Sequence, residues 1–359
     1  MSVSTEPRKK LPSALPPVPL SHGTLPRFGP LALLVASGAL VAALLLPGGA
    51  HPAFLAIGTA VLYTAAIYGW SRTVEGPRKA TDRMVTSIVT GAFVLALVPL
   101  VSVLFTVVNN GVSRFDTTFF TYSMRGVVGE GGGAYHAILG TLIITALASA
   151  MSVPIGLMAA IYLVEYGQGR LAKVITFFVD VMTGIPSIVA GLFAYALFVV
   201  VFGPGVRMGF AGAVALTVLM VPVVVRSTEE MLKLVPNELR EASYALGVPK
   251  WRTVVKVVLP TATAGIATGI TLAIARVIGE TAPLLVTVGT ITGTNLNPFQ
   301  GRMATLPVFS YYSYVSPGAS PDFSIDRAWT AALTLIIIVM VLNLIARLIS
   351  RLFSPKTGR

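Results

Sequence analysis

Apolar residues in this chain gather in long unbroken runs, and short polar islands separate them, unlike the narrow stripes of a water-soluble domain. Eight runs stand out, at about 31–46, 52–70, 85–108, 137–163, 174–202, 209–233, 261–288 and 328–349. A membrane-crossing helix needs about 20 mostly apolar residues, so each run is read as a span, the first being the shortest. That first run, followed by Ala50-His51-Pro52-Ala53, resembles a signal-peptide core. The long segment ahead of it favours a retained span.

One island is itself patterned. Leu239, Ala242, Ser243 and Leu246 recur at i, i+3, i+4 and i+7, with Arg240, Glu241 and Tyr244 off that face. Trp251, Val254, Val255 and Val258 repeat the spacing, with Lys250, Arg252 and Lys256 outward. Residues 237–260 therefore predict two short amphipathic helices, with Asn237 as N-cap, Gly247 as the left-handed corner and Pro260 as the stop. The product is a helical knob at a membrane surface.

Composition agrees with an all-α polytopic membrane protein: 55% of residues are hydrophobic and 11% charged. The net charge of +12 would suggest nucleic acid in a soluble chain. With the N-terminus cytosolic and eight spans, however, 20 of the 26 Lys and Arg fall on the cytosolic side, five outside and one within a span. This asymmetry orients the chain in the plasma membrane with both termini cytosolic, and basic loops beside anionic lipid account for the charge. The knob then faces the cytosol. No nucleic-acid role is inferred.

There is no cysteine, and His22, His51 and His136 are isolated, so no metal site is expected. The motifs G-x-x-x-x-G-K-[ST], H-E-x-x-H and G-x-S-x-G do not occur. A conduit moved by another protein is favoured over an enzyme.

The polar residues inside the runs are the candidate chemistry. Arg276 and Glu280 stand four apart, on one face of an expected helix near mid-membrane, where each charge costs about 2.5–3.5 kcal/mol to insert. Two readings are open. The pair is a mutual structural ion pair, or Arg276 offers its planar fork to an oxyanion while Glu280 holds it, with Gly279 and Thr281 alongside. Arg226 reads as a second anion contact at the inner mouth or as a boundary residue paired with Glu229 or Glu230. Asp180 reads as a helix-start residue. Gly184, Pro186, Ser187 and Gly191 would kink and thin the fifth span, as a packing device or a gate element. Gly131 to Gly133 and the cluster Tyr311, Tyr312, Tyr314 are expected in exposed outer loops, as anchors or as contacts for an extracytoplasmic protein.

Glu241, Ala242, Ser243, Gly247, Leu259 and Pro260 fall on the E-A-A…G…L-P loop of ABC-type import permeases, with Ser243 where alanine is common. The chain is similar to that family, and within it to phosphate permeases of the PstA type. That likeness is carried by 140–142, 184–191, the A-R-V-I-G-E-T-A-P-L-L string from Ala275 to Leu285, and 303–308. The resemblance implies a type I ABC importer transmembrane domain of about six helices, here preceded by two extra N-terminal transmembrane helices. It implies coupling to ATPase subunits (PstB type, which would hold ATP and Mg) through the loop residues. It also implies a homologous permease partner (PstC type), a phosphate-binding protein outside (PstS type), and Arg276 with Glu280 on the transport path. Sulfate or molybdate import is the nearest rival, and an ion-coupled secondary transporter a more distant one. The layout expected is a disordered cytosolic tail at 1–30, the extra two-helix segment at 31–84, the third helix and an extracytoplasmic loop at 85–135, the permease domain at 136–350 and a cytosolic tail at 351–359.

Overall fold

The structure is a computed structural model that describes residues 23–49 and 51–353. Residues 1–22 and 354–359 lie outside it, and with them most of the two expected tails. Every regular element among the described residues is helical. Seven helices are long and apolar enough to cross a membrane, or eight if one sharply bent pair counts as a span. The chain divides into two compact units between Val103 and Leu104.

In the first unit, α1 (Gly29–Leu45) and α2 (Pro52–Val74) are joined by a tight turn at Leu46–Gly48 and pack on each other. Helix α3 (Pro77–Gly111), whose residues from Leu104 on belong to the second unit, begins almost at once, so the basic segment expected as a loop around Arg78, Lys79 and Arg83 is helical. Glu75, in the turn between α2 and α3, explains the sharp connection. Its buried carboxylate accepts hydrogen bonds from Arg83 Nε (2.5 Å) and Nη2 (2.9 Å), Ser71 Oγ (2.8 Å) and the Leu25 N–H (3.2 Å). The Arg83 guanidinium, helped by Ser71 and Leu25, holds this carboxyl at about 2, against an ordinary 4.5, in opposition to burial.

The second unit holds α4 (Thr117–Thr121), α5 (Tyr135–Ile161), α6 (Arg170–Gly184), α7 (Ser187–Phe202), α8 (Gly209–Lys233), α9 (Asn237–Ala245), α10 (Lys250–Thr253), α11 (Leu259–Val277), α12 (Ala282–Thr287), α13 (Leu306–Val315) and α14 (Pro321–Phe353). Helix α8 is the hub, packed by α5, α7 and α11. Its core contacts are Leu216, Met220 and Val224 against Ile144 and Ala148 of α5 and Ala273 and Val277 of α11. Small residues let the backbones close. A β carbon on Gly269 would stand 2.6 Å from Ser227 Oγ, and one on Gly265 would meet Met231, which sets α8 and α11 antiparallel.

Two expected spans are broken. The run 174–202 is α6 and α7, bent by 112°. Pro186 is the N-cap of α7, and its ring and missing N–H end one helix and start another where a kink was expected. The run 261–288 stops at Val277 and resumes as α12, with Pro283 in its first turn. The stretch 289–327, expected as a polar loop, contains α13 and the start of α14.

Candidate functional site

The knob at 237–260 forms, with corrections. Helix α9 ends in a Schellman arrangement: the Gly247 N–H donates to the Tyr244 carbonyl (2.9 Å) and the Val248 N–H to that of Ser243 (3.2 Å). Gly247 has φ +74°, the left-handed corner expected of it. Asn237 is not the N-cap; Pro236 holds that position and Asn237 is already helical. Pro260 does not end the second helix either. A π turn at Val254–Val258, in which the Leu259 N–H reaches back to the Val254 carbonyl, carries the chain into α11 with Pro260 as its second residue, and this widened turn accommodates the proline's missing N–H inside the helix. Residues Lys250–Val277 are thus one continuous rod from knob into bundle.

The faces also differ from the simple period. In α9 only Ser243 is buried, and its hydroxyl pairs with Thr253 Oγ1 at 2.8 Å, clasping the two arms. Ala242 and Glu241 are exposed, Pro260 is exposed and Leu259 half-buried. Across the corner, Val254 and Val258 face inward while Trp251 and Val255 are exposed, because the π turn resets the register. Leu246 is 83% and Trp251 58% exposed, so the knob offers an open apolar surface beside Lys250, Arg252 and Lys256. Arg240, read from sequence as lying off the apolar face, turns inward. It donates from Nε (3.0 Å) and Nη2 (2.9 Å) to Glu165 Oε1, and also to the Val235 and Leu232 carbonyls. That ion pair, with side chains 12% and 4% exposed, bolts the knob to the end of α5's π extension. The available signal was Glu165, the one carboxylate between Glu130 and Asp180, at the edge of an apolar run.

Arg276 lies one residue before the end of α11, and Glu280 lies past it, so the expected shared helical face is not formed. No ion pair joins them, and neither side chain has a hydrogen-bond partner among the described residues. The mutual ion pair is therefore corrected, and with it the expected hold of Glu280 on Arg276: the helix ends before Glu280 can complete the turn. Carrying the register set by Ser227 and Met231 along α8 places Arg276 level with Met220, near the middle of that 25-residue helix. Arg276 is exposed on a face of α11 shared with Thr261, Thr268 and Leu272, while Glu280 and Thr281 are half-buried.

Arg226 is engaged by carboxylates. It pairs with Asp180 through Nη2 and with Glu229 through Nη1 at 2.8 Å, and Lys233 binds the other Glu229 oxygen at 2.7 Å. This is the boundary reading, and an anion contact there would have to displace two carboxylates. Asp180 lies inside α6, not at its start, and serves as that partner. Gly191 is a packing device: a β carbon there would stand 2.5 Å from Pro283 Cα, so the two broken spans touch at α7 and α12. Ser187 is half-buried at the start of α7, and Gly184 is exposed with open space around it.

Residues 152–359 match the family described as binding-protein-dependent transport system inner membrane component. The chain belongs to this family. It is 51% identical over 245 residues to the phosphate transport system permease protein PstA 1 of Mycobacterium tuberculosis (strain CDC 1551 / Oshkosh), covering 67% of this chain and 80% of that protein. It is 40% identical over 243 residues to PstA of Pasteurella multocida (strain Pm70), covering 67% of this chain and 85% of that protein. A solved structure of the MetNI methionine ABC transporter in an inward-facing form matches with a TM-score of 0.48 and 22% identity, over 62% of this chain and 94% of that chain.

For a member of this family, the face opposite the knob is also ordered by arginines that the sequence reading passed over. Gly132 and Gly133 are buried, not exposed, against Met124, Val127 and the Phe119 backbone, and Arg327 reaches the Gly129 (2.8 Å) and Gly131 (2.9 Å) carbonyls while Arg114 reaches that of Gly132 (3.2 Å). Tyr311 and Tyr314 stand exposed on α13, and Tyr312 is half-buried against the core. His136 is buried edge-on to Phe309 at 5.5 Å.

Proposed function

We propose that this chain is the permease subunit of an ATP-driven ABC importer that carries inorganic phosphate into the cell. The observation that carries the reading is Arg276: a guanidinium at mid-bundle depth, exposed from its own chain and without a partner among the described residues. A charge at that level cannot face lipid at a cost of about 2.5–3.5 kcal/mol when a protein-lined passage is open to it. The second permease subunit supplies the other wall. Glu280 and Thr281, just beyond the helix end, line the same passage, and the 51% likeness to a phosphate permease supports phosphate as cargo.

The knob is the docking element for ATPase subunits. Glu241, Ala242, Leu246 and Trp251 are exposed, Gly247 shapes the corner, and Ser243 holds it closed. Because Lys250–Val277 is one rod, a push on the knob travels along α11 to Arg276 without crossing a hinge other than the π turn. ATP and Mg belong to the ATPase partner. Closure of the ATPases moves the rod and changes which side reaches Arg276.

The chain co-purified with its partner permease and ATPases in liposomes tests this reading. Phosphate-loaded binding protein should stimulate ATP hydrolysis. Stimulation by sulfate- or molybdate-loaded protein instead would reassign the cargo, and transport without ATP hydrolysis would remove the importer reading.

A further inference from the structure

Two arginines meet at the end of α8 opposite the knob. Arg207 precedes α8 by two residues, and a 25-residue helix separates it from the knob by about 37 Å. Arg302 follows the loop that covers the same end. A β carbon on Gly289 would stand 3.1 Å from Arg207 Cδ, 3.4 Å from its Nη1 and 3.5 Å from Arg302 Cδ, so both side chains lie over one glycine, itself at φ +72°.

The frame under them is fixed by backbone bonds. The Met208 N–H donates to the Thr287 carbonyl (3.2 Å) and the Phe210 N–H to that of Pro298 (2.7 Å). Asn295 Nδ2 donates to the Gln300 (2.8 Å) and Arg302 (2.9 Å) carbonyls, which braces the loop. Yet among the described residues neither guanidinium has an ion-pair or hydrogen-bond partner. This sets them apart from Arg114, which donates to Asp116 and the Gly132 carbonyl, and from Arg327, whose Nη1 donates to the Gly129 and Gly131 carbonyls. Two arginine stems over one glycine at the N-terminal end of α8, with free forks, present donors that one anion can join.

We infer that Arg207 and Arg302 form a receiving site for a tetrahedral oxyanion, which collects the cargo at the outer end of the bundle before it descends to Arg276. The inference rests on the importer reading for its direction but not for its chemistry. Paired guanidinium forks suit the spread oxygens of phosphate or sulfate better than a single halide. Gly289 is required because a side chain would occupy the space between the stems.

The absence of native cysteine allows a direct probe. Thr290, exposed and next to Gly289, is changed to cysteine in the full chain assembled with its partners, and labelling by a neutral thiol reagent is read at that residue by mass spectrometry. Inorganic phosphate or sulfate, without binding protein, should slow labelling several-fold relative to chloride at equal ionic strength. The R207Q/R302Q double variant should lose that protection, and R207K/R302K should recover part of it. Equal labelling rates in both oxyanions and chloride, or protection that survives the double glutamine change, would overturn the site. Uptake by the same vesicles separates the two readings: phosphate uptake without protection removes the receiving site alone, and protection without phosphate uptake removes the importer reading alone.

Discussion

Arg240 and Glu165, 75 residues apart, are joined by two hydrogen bonds from one guanidinium to one carboxylate oxygen, in a setting nearly closed to water. The knob is therefore fastened to the bundle by a buried charged joint, beside which Lys250 Nζ sits 5.0 Å over the Tyr166 ring. Arg240→Ala should leave Glu165 buried and uncompensated, a local loss of about 3–5 kcal/mol. Amide exchange in residues 237–253 should rise while that of α8 stays slow. The R240M/E165M double variant should restore slow exchange, since it removes both charges.

The Gly247 corner makes a second, sharper prediction. Valine at φ +74° suffers a clash worth about 1–2 kcal/mol, and asparagine tolerates that region. Gly247→Val should assemble yet lose most ATPase stimulation by loaded binding protein, and Gly247→Asn should keep most of it. Full stimulation with valine would show that the corner does not transmit force.

Acid should loosen the first unit. Glu75 is held at about 2 in the folded chain against 4.5 ordinarily, so its contribution is fully present above 4.5 and is lost as pH falls toward 2. Thermal melting of the purified protein should show a step in that window at α1–α2, followed by cysteine labelling at Ala42→Cys. Glu75→Gln should remove the pH step and lower stability at neutral pH.

The hub helix was legible in the sequence almost to the residue, because 209–225 is an unbroken apolar run and the charged turns from Arg226 to Lys233 keep helical spacing up to the polar island beyond. Pro186 announced an interruption of its run, though not a bend of 112°, and the break beyond Val277 was hidden because hydropathy resumes past it and only packing, Gly191 on Pro283, brings the two broken runs together. Gly247 was readable because a left-handed corner is a local demand. The hold of Arg327 on the Gly131 carbonyl spans 196 residues, and no local signal reports such a contact. Arg276 was identifiable from its cost in an apolar run. Its lack of a bond to Glu280 was not, because helix periodicity assumed a turn that α11 does not make.

Arg276 carries the central claim, that a guanidinium open to a passage between subunits is what the cargo passes. Phosphate uptake into liposomes bearing the assembled transporter, driven by enclosed ATP, measures it most directly. Arg276→Gln should cut uptake at least about tenfold, a loss of roughly 1.4 kcal/mol or more of the charge-assisted contact, with assembly and basal ATP hydrolysis unchanged. Uptake at the parent rate by correctly assembled Arg276→Gln would contradict the account.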